Sequence, residues 1–257
     1  MFVYEINGIK IFFSKDFNET IKLIDTIITE TKNPCQITTL NTLIYYQTKK
    51  DFETYLAVKN SKLVIADSFG ITFFVNIFNF KFFKRQPGIE LIDYLCLLSK
   101  RKNYKIYLLG STKEVVSKTK FVLEKKYLLE ICGAHHGYFL NSQNLTNEVI
   151  KDINAKSVDI LLVGLPTEIQ EKWIFKNLNK LNCRIVIGVG GSFDVISGKI
   201  PRAPRLFQII GLEWYYRLLI QPSRIKRILK LPLAMIFLFF DFLKNYFNKF
   251  NFKYEKR

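Results

Sequence analysis

Residues 158–191 read VDILLVGLPTEIQEKWIFKNLNKLNCRIVIGVGG, and their reading decides the fold. Residues 158–163 are an apolar strand-like run that stops at Gly164. Residues 168–181 then read as a helix. Residues 183–187 are a second β-rich run, and it closes on Gly188, Gly190 and Gly191. A strand, a helix and a strand in this order make a crossover unit, so the two strands lie parallel and helices cover the sheet. In such sheets the loops at the carboxyl ends of the strands bind ligands. Gly190 and Gly191 have no Cβ, so backbone N–H groups there can approach a ligand closely.

The same alternation extends outward. Upstream, residues 105–109 form a β-rich run closing on Gly110-Ser111-Thr112. A helix to about residue 126, a strand at 128–132, a loop at 133–138 and a helix at 146–155 follow. Nearer the N-terminus, residues 2–13 read as a hairpin around Asn7-Gly8. Ile21, Ile24, Ile27 and Ile28 set a helical spacing across residues 18–31. A strand at 35–39 leads to Asn41, a helix spans 42–59, and a buried strand at 63–66 ends at Asp67. A helix at 69–78, a turn containing Arg85, Pro87 and Gly88, and a helix at 89–100 complete this half. The expected fold is α/β, a Rossmann-like parallel sheet with helices on both faces, over residues 1–198. Gly110, Gly137, Gly164 and the glycines from Gly188 to Gly191 all fall on carboxyl-end loops. No GxGxxG opens a helix after the first strand, so NAD binding is not supported.

The chain has 257 residues, of which 49% are hydrophobic, enough for a sizeable core. Its formal net charge of +17 asks for an anionic partner: nucleic acid, lipid head groups or a phosphorylated substrate. Residues 199–257 hold 13 Lys and Arg against 3 Asp and Glu, so +10 of the charge lies there. Residues 231–240 carry no polar side chain, and Lys and aromatic residues follow. A run this short does not span a bilayer. It suits a helix lying in the membrane interface or one packed on the domain. Residues 199–257 are therefore expected to form a basic helical appendage that meets a membrane surface. The four cysteines are far apart and form no CxxC, which points to reduced thiols rather than a zinc site. The first twelve residues lack a basic start and carry Glu5, so no signal peptide is expected.

Downstream of the glycines lies a set of guanidiniums. Arg217 and Arg224 are seven apart and would share a face of a continuous helix, with Arg227 three further on, although Pro222 interrupts that helix. Such a cluster beside a glycine turn suits a phosphate, and it also suits a basic surface helix. Asp67 ends an apolar strand, a position for a catalytic carboxylate or for an N-cap of the next helix. His135 and His136 are the only histidines, and on an extended segment their rings are expected to point apart.

These residues form a long, ordered match. GxGGxFD at 188–194, SGKxxRAP at 197–204, GLEWYYRL at 211–218 and QPSRxxR at 221–227 resemble the WecG/TagA/CpsF family of bacterial glycosyltransferases. Thr39-Leu40-Asn41, Ala66-Asp67, Arg85-x-x-Gly88, Gly137-Tyr138-Phe139 and Gly164…Gln170-Glu171-x-Trp173 resemble its other motifs. Ser68 stands where the family has Gly after the Asp, and Glu168-Ile169 where it has Pro-Lys. The resemblance implies an inverting transfer that needs no metal or other cofactor. The donor would be a UDP-sugar carrying N-acetylmannosamine or its uronic acid. The acceptor would be a polyprenyl-diphosphate-linked sugar at the cytoplasmic face of the cell membrane. The chain would bind that membrane peripherally and take no nucleic acid. The absence of Asp-x-Asp agrees with metal independence. Asp67 is then the expected base, with Thr39 and Asn41 orienting hydroxyls. Arg217, Arg224 and Arg227 would neutralise the leaving UDP. Arg85 and Gln170 would bind the donor, Asp194, Gly137 and Tyr138 would lie near the uracil, and Gly110 and Gly190 would line the phosphate loops. Two alternatives stand beside this reading. One is the same fold using a UDP-hexose for capsule or lipopolysaccharide. The other is a non-catalytic basic module binding lipid or RNA.

Overall fold

The structure is a computed structural model and describes residues 2–79, 82–140 and 142–254, with side chains described as far as residue 247. The chain opens with β1 (Phe2–Ile6) and β2 (Ile9–Phe13), a hairpin turned by Asn7 and Gly8 at positive φ. Then come α1 (Phe17–Glu30), β3 (Cys35–Leu40), α2 (Thr42–Lys50), α3 (Phe52–Lys59), β4 (Leu63–Ala66), α4 (Phe69–Asn79) and α5 (Gly88–Lys102). The second half brings β5 (Ile106–Gly110), α6 (Lys113–Tyr127), β6 (Ile131–His135), α7 (Gln143–Ala155), β7 (Ile160–Gly164), α8 (Thr167–Asn177) and β8 (Ile185–Gly188). The last segment holds α9 (Ser192–Ile196), α10 (Arg205–Ile209), α11 (Glu213–Ile220), α12 (Ile225–Ile228) and α13 (Leu231–Tyr254).

The strands form one eight-stranded sheet in the order β1-β2-β4-β3-β8-β7-β5-β6. Every pairing is parallel except the hairpin β1–β2 at one edge. The α/β expectation therefore holds, with β1 as the one antiparallel strand among the described residues. The strands alternate within a doubly covered sheet. Ile160 and Leu162 join the core under α1, α5 and α6, while Leu161 and Val163 join the core under α7 and α8. A third cluster, under α2 and α4, includes Tyr4, Ile6 and Val64.

Three expected elements differ. The helix expected over 42–59 is two helices, because the Asp51 carboxylate accepts from Glu53 N at 2.9 Å and Thr54 N at 3.2 Å and so caps a new start. The strand expected at 128–132 lies at Ile131–His135. Leu128 sits at φ 51 as the C-cap of α6 and is 76% exposed, so its apolar side chain was a false strand signal. Gly133 belongs inside the strand, since a Cβ there would fall 2.4 Å from the Tyr107 ring. The histidines also depart from the reading. His135 ends β6 and His136 has left it, so the period-two rule stops between them and the rings lie 4.4 Å apart.

Within residues 199–254 the helices differ in how much they bury. Helices α10, α11 and α12 bury none of their residues. Helix α13 does the opposite along one face: Ala234, Leu238 and Phe242 are fully buried, the last two among the residues of the third cluster. Phe242 stacks on Tyr4 at 4.9 Å and on Phe74 at 5.8 Å. Its other face leaves Leu233, Ile236 and Phe240 about half exposed or more. No described helix is long and apolar enough to cross a membrane.

Candidate active site

Six parallel strands, β3 to β8, deliver their carboxyl ends or the loops after them to one cleft of about 1040 Å³, roofed by α11, α12 and the start of α13. Asp67, Thr39, Asn41, Arg85, Gln170, Gly137, Tyr138, Gly190, Asp194, Arg217, Arg224 and Arg227 all line it. Gly110 does not. It lies beneath the wall at φ 135, where a Cβ would be 2.2 Å from Gly164 O. That close approach turns the chain so that Ser111 faces the cleft instead.

Asp67 follows β4 directly. Its backbone N–H bonds Leu40 O at 2.9 Å, which locks it beside the end of β3. Its carboxylate does not cap α4. It accepts from Gly88 N at 3.0 Å, at the first turn of α5. Burial is the largest influence on this group and raises its pKa to about 6. The Gly88 N–H and the charges of Arg85 and Arg217 pull the other way, and Glu213 pushes with burial. A carboxyl group held near 6 is half-poised to take a proton close to neutral pH.

The neighbours expected to touch substrate are partly committed to the protein. Thr39 donates its hydroxyl to Gly188 O at 2.7 Å, joining β3 to β8. Asn41 caps α2, its Oδ1 accepting from Leu43 N and Ile44 N at 3.0 Å each. Gln170 is buried, and its Oε1 accepts from Gly190 N at 2.8 Å while its Nε2 donates to Glu171 at 2.7 Å. Glu171 is itself buried, bound by Gln36 at 2.7 Å and Thr38 at 2.9 Å. Burial raises its pKa, and the donors of Gln170, Thr38 and Gln36 lower it. Gln170 thus holds the glycine turn from beneath. Arg85 donates to Glu213 and, at 3.1 Å, to Gln208 O, so it grips the segment above the cleft.

The structure brings the glycine turn and two of the arginines together, though not on one helix. The helix breaks between Ile220 and Ile225, where Pro222 opens a short 3₁₀ turn, so Arg217 and Arg224 share no continuous helical face. The break folds the chain back, and both guanidiniums still come within 3.8 Å of where a Gly191 side chain would begin. Desolvation depresses the Arg224 pKa, and the charges of Arg217 and Arg227 depress it further. Gly190 sits at φ 51 with open space above it. Asp194 accepts from the Ser111 hydroxyl at 3.0 Å, and Tyr138 is 71% exposed at the rim. Arg227 reaches Glu168 at 3.4 Å. Ser68 is bound to Thr42 at 2.9 Å and ties β4 to α2.

Sequence reasoning passed over Ser111, Glu171 and Glu213 as parts of the site. Glu213 carried a signal, since it is the only acidic residue between 199 and 240.

The model of the glycosyl transferase WecG/TagA/CpsF family matches residues 4–248. Proteins of Staphylococcus aureus strains NCTC 8325 / PS 47 and COL are each 31% identical over 229 residues, covering 86% of this chain and 88% of their own. Each is named N-acetylglucosaminyldiphosphoundecaprenol N-acetyl-beta-D-mannosaminyltransferase. The reading as a non-catalytic module falls with these matches: the chain belongs to the WecG/TagA/CpsF family and is a glycosyltransferase.

Proposed function

We propose that the chain moves N-acetylmannosamine, or its uronic acid, from a UDP-sugar to N-acetylglucosamine on undecaprenyl diphosphate. The observation that carries this reading is the opposition of two groups across one cleft. Asp67, a carboxyl group with a pKa near 6, stands on the sheet side, and the Arg217–Arg224 pair stands over the Gly190–Gly191 turn. The names of the relatives support the donor sugar and the acceptor.

The mechanism follows from charge. Asp67 takes the proton of the acceptor hydroxyl as its oxygen bonds to the anomeric carbon from the face opposite UDP. The glycosidic C–O bond to UDP breaks, and the electron pair leaves on the β-phosphate. Arg217 and Arg224 neutralise that charge, with Arg227 behind them, so no metal ion is needed. A diphosphate there also offsets the like charges of Arg217 and Arg227, which add to desolvation in depressing Arg224. The acceptor is tethered in a bilayer, and the protein meets it peripherally through the apolar, basic segment from residue 199 onward.

The test is a panel of UDP-sugars offered with a short-chain lipid-linked acceptor, with and without EDTA. UDP-N-acetylmannosamine or its uronic acid should give product at a rate chelation leaves unchanged. A UDP-hexose as the preferred donor would refute the sugar assignment. Loss of activity in EDTA, restored by Mg²⁺, would refute the arginine mechanism.

A further inference from the structure

The roof of the cleft has to be aimed, and no buried core aims it. Helix α11 has no fully buried residue, and its apolar contact through Tyr216 is with Phe207 of α10, at 5.7 Å, not with the sheet. A charged contact ties it to the body. Glu213, the first residue of α11, meets Arg85 with side chains only 17% and 19% exposed. The second nitrogen of Arg85 reaches Gln208 O at 3.1 Å, near the end of α10. The loop carrying Arg85 is pinned in turn by Gln86 N on Ala66 O at 2.8 Å, next to Asp67. A single guanidinium from the body therefore holds the start of α11 and the end of α10 before it. Arg217 follows Glu213 by four residues, one helical turn on and on the same face.

We infer that Glu213 is a positioning residue: its clasp with Arg85 turns α11 so that Arg217 faces the Gly190–Gly191 turn and receives the diphosphate. Arg85 then serves the donor through Glu213, not by gripping it. The pair is charge-assisted and mostly out of water, so its geometry is stiffer than that of a surface ion pair. This inference rests on the proposed place of Arg217 at the diphosphate.

A double-mutant cycle read by UDP calorimetry on the full chain tests it. Arg217→Ala and Glu213→Ala should each weaken UDP binding by about tenfold, the size of one charge-assisted hydrogen bond. Together they should be little worse than either alone, because the second change removes a contact already lost. Charge reversal, Arg85→Glu with Glu213→Arg, should recover part of the affinity that Arg85→Glu alone loses. If circular dichroism finds Glu213→Ala unfolded, the isosteric Glu213→Gln runs the same cycle. Losses that multiply, or normal binding by the Glu213 variants beside a weakened Arg217→Ala, would overturn the clasp and leave the site reading standing. Normal UDP binding by Arg217→Ala would overturn both.

Discussion

The floor of the cleft hangs on backbone and buried side chains: Gln170 holds Gly190 N, Glu171 holds Gln170, and Gln36 and Thr38 hold Glu171. The roof helices α11 and α12 bury nothing and are joined to the body by charged pairs, Arg85–Glu213 and Arg227–Glu168. Both line one cavity. The difference teaches a division of labour. On the proposed mechanism, groups that must sit at fixed angles to the sugar come from the sheet, where packing fixes them. Groups that supply positive charge to the diphosphate come from a segment held by a few ion pairs rather than by a core, and the Arg85–Glu213 pair is the less exposed of them.

The sharpest break in this comparison comes from the floor. Asp67→Asn keeps the shape and the Gly88 contact but removes the base. Turnover should fall by about 10²–10⁴-fold while UDP binding persists. In the wild type kcat/KM should fall as pH drops through about 6, because protonation disables the base. A rate within a few-fold of wild type, or an acid limb near 4, would move the base elsewhere.

Stability gives the next contrast. Leu238 of α13 is fully buried, and Leu238→Ala should cost about 2–5 kcal/mol. Leu219 of α11 is 58% exposed, and Leu219→Ala should stay within about 0.5 kcal/mol. Urea melts of both measure this. Equal losses would mean that the roof is as much part of the core as α13.

Removing charge from the roof should then separate binding from folding. Arg217→Ala with Arg224→Ala should weaken UDP binding by about 100-fold, and the melting temperature should not move, because neither residue packs the core. Unchanged affinity would return these arginines to the status of surface charge.

Much of this was legible in the residues, and the failures have physical causes. The β-rich runs 105–109, 158–163 and 183–187 announced parallel strands because, past the charged Lys105, Asp159 and Arg184 near their starts, every side chain is apolar, as helices on both faces demand. Asp67 was legible as the first polar group after such a run. The expected helix through Asp51 failed because one carboxylate outweighed the propensity of its flanks. Pro222 was the legible warning that Arg217 and Arg224 would not share one helix, but where the chain goes after such a break, here back to the glycine turn, is not written in helical periodicity. Gln170, Arg85 and Glu213 could not be sorted from spacing, since which partner a side chain takes is a tertiary fact. The run 231–240 was ambiguous for a simpler reason. With no polar residue in it, nothing marks which face is buried.

The last prediction concerns that exposed apolar surface and has the smallest expected effect. Leu206, Ile209 and Leu229 are 65%, 67% and 65% exposed, and Arg205, Lys226 and Lys230 lie beside them in sequence. Apolar side chains among cations suit the interface of an anionic bilayer, where both gain. Changing Leu206, Ile209 and Leu229 together to Ser should weaken binding to phosphatidylglycerol vesicles by about tenfold, since each loses a modest buried area. Added salt should weaken the wild type as well, because screening removes the electrostatic part. Activity on a short, water-soluble acceptor should largely remain, because Leu206 and Ile209 lie off the cleft wall and Leu229, which lies on it, is 65% exposed. Vesicle binding equal to wild type would place the membrane contact on the outer face of α13, and the same substitutions at Leu233, Ile236 and Phe240 would then carry the loss. If the triple variant instead lost activity on the soluble acceptor, the roof would owe its position to these side chains, and its contrast with the floor would fail.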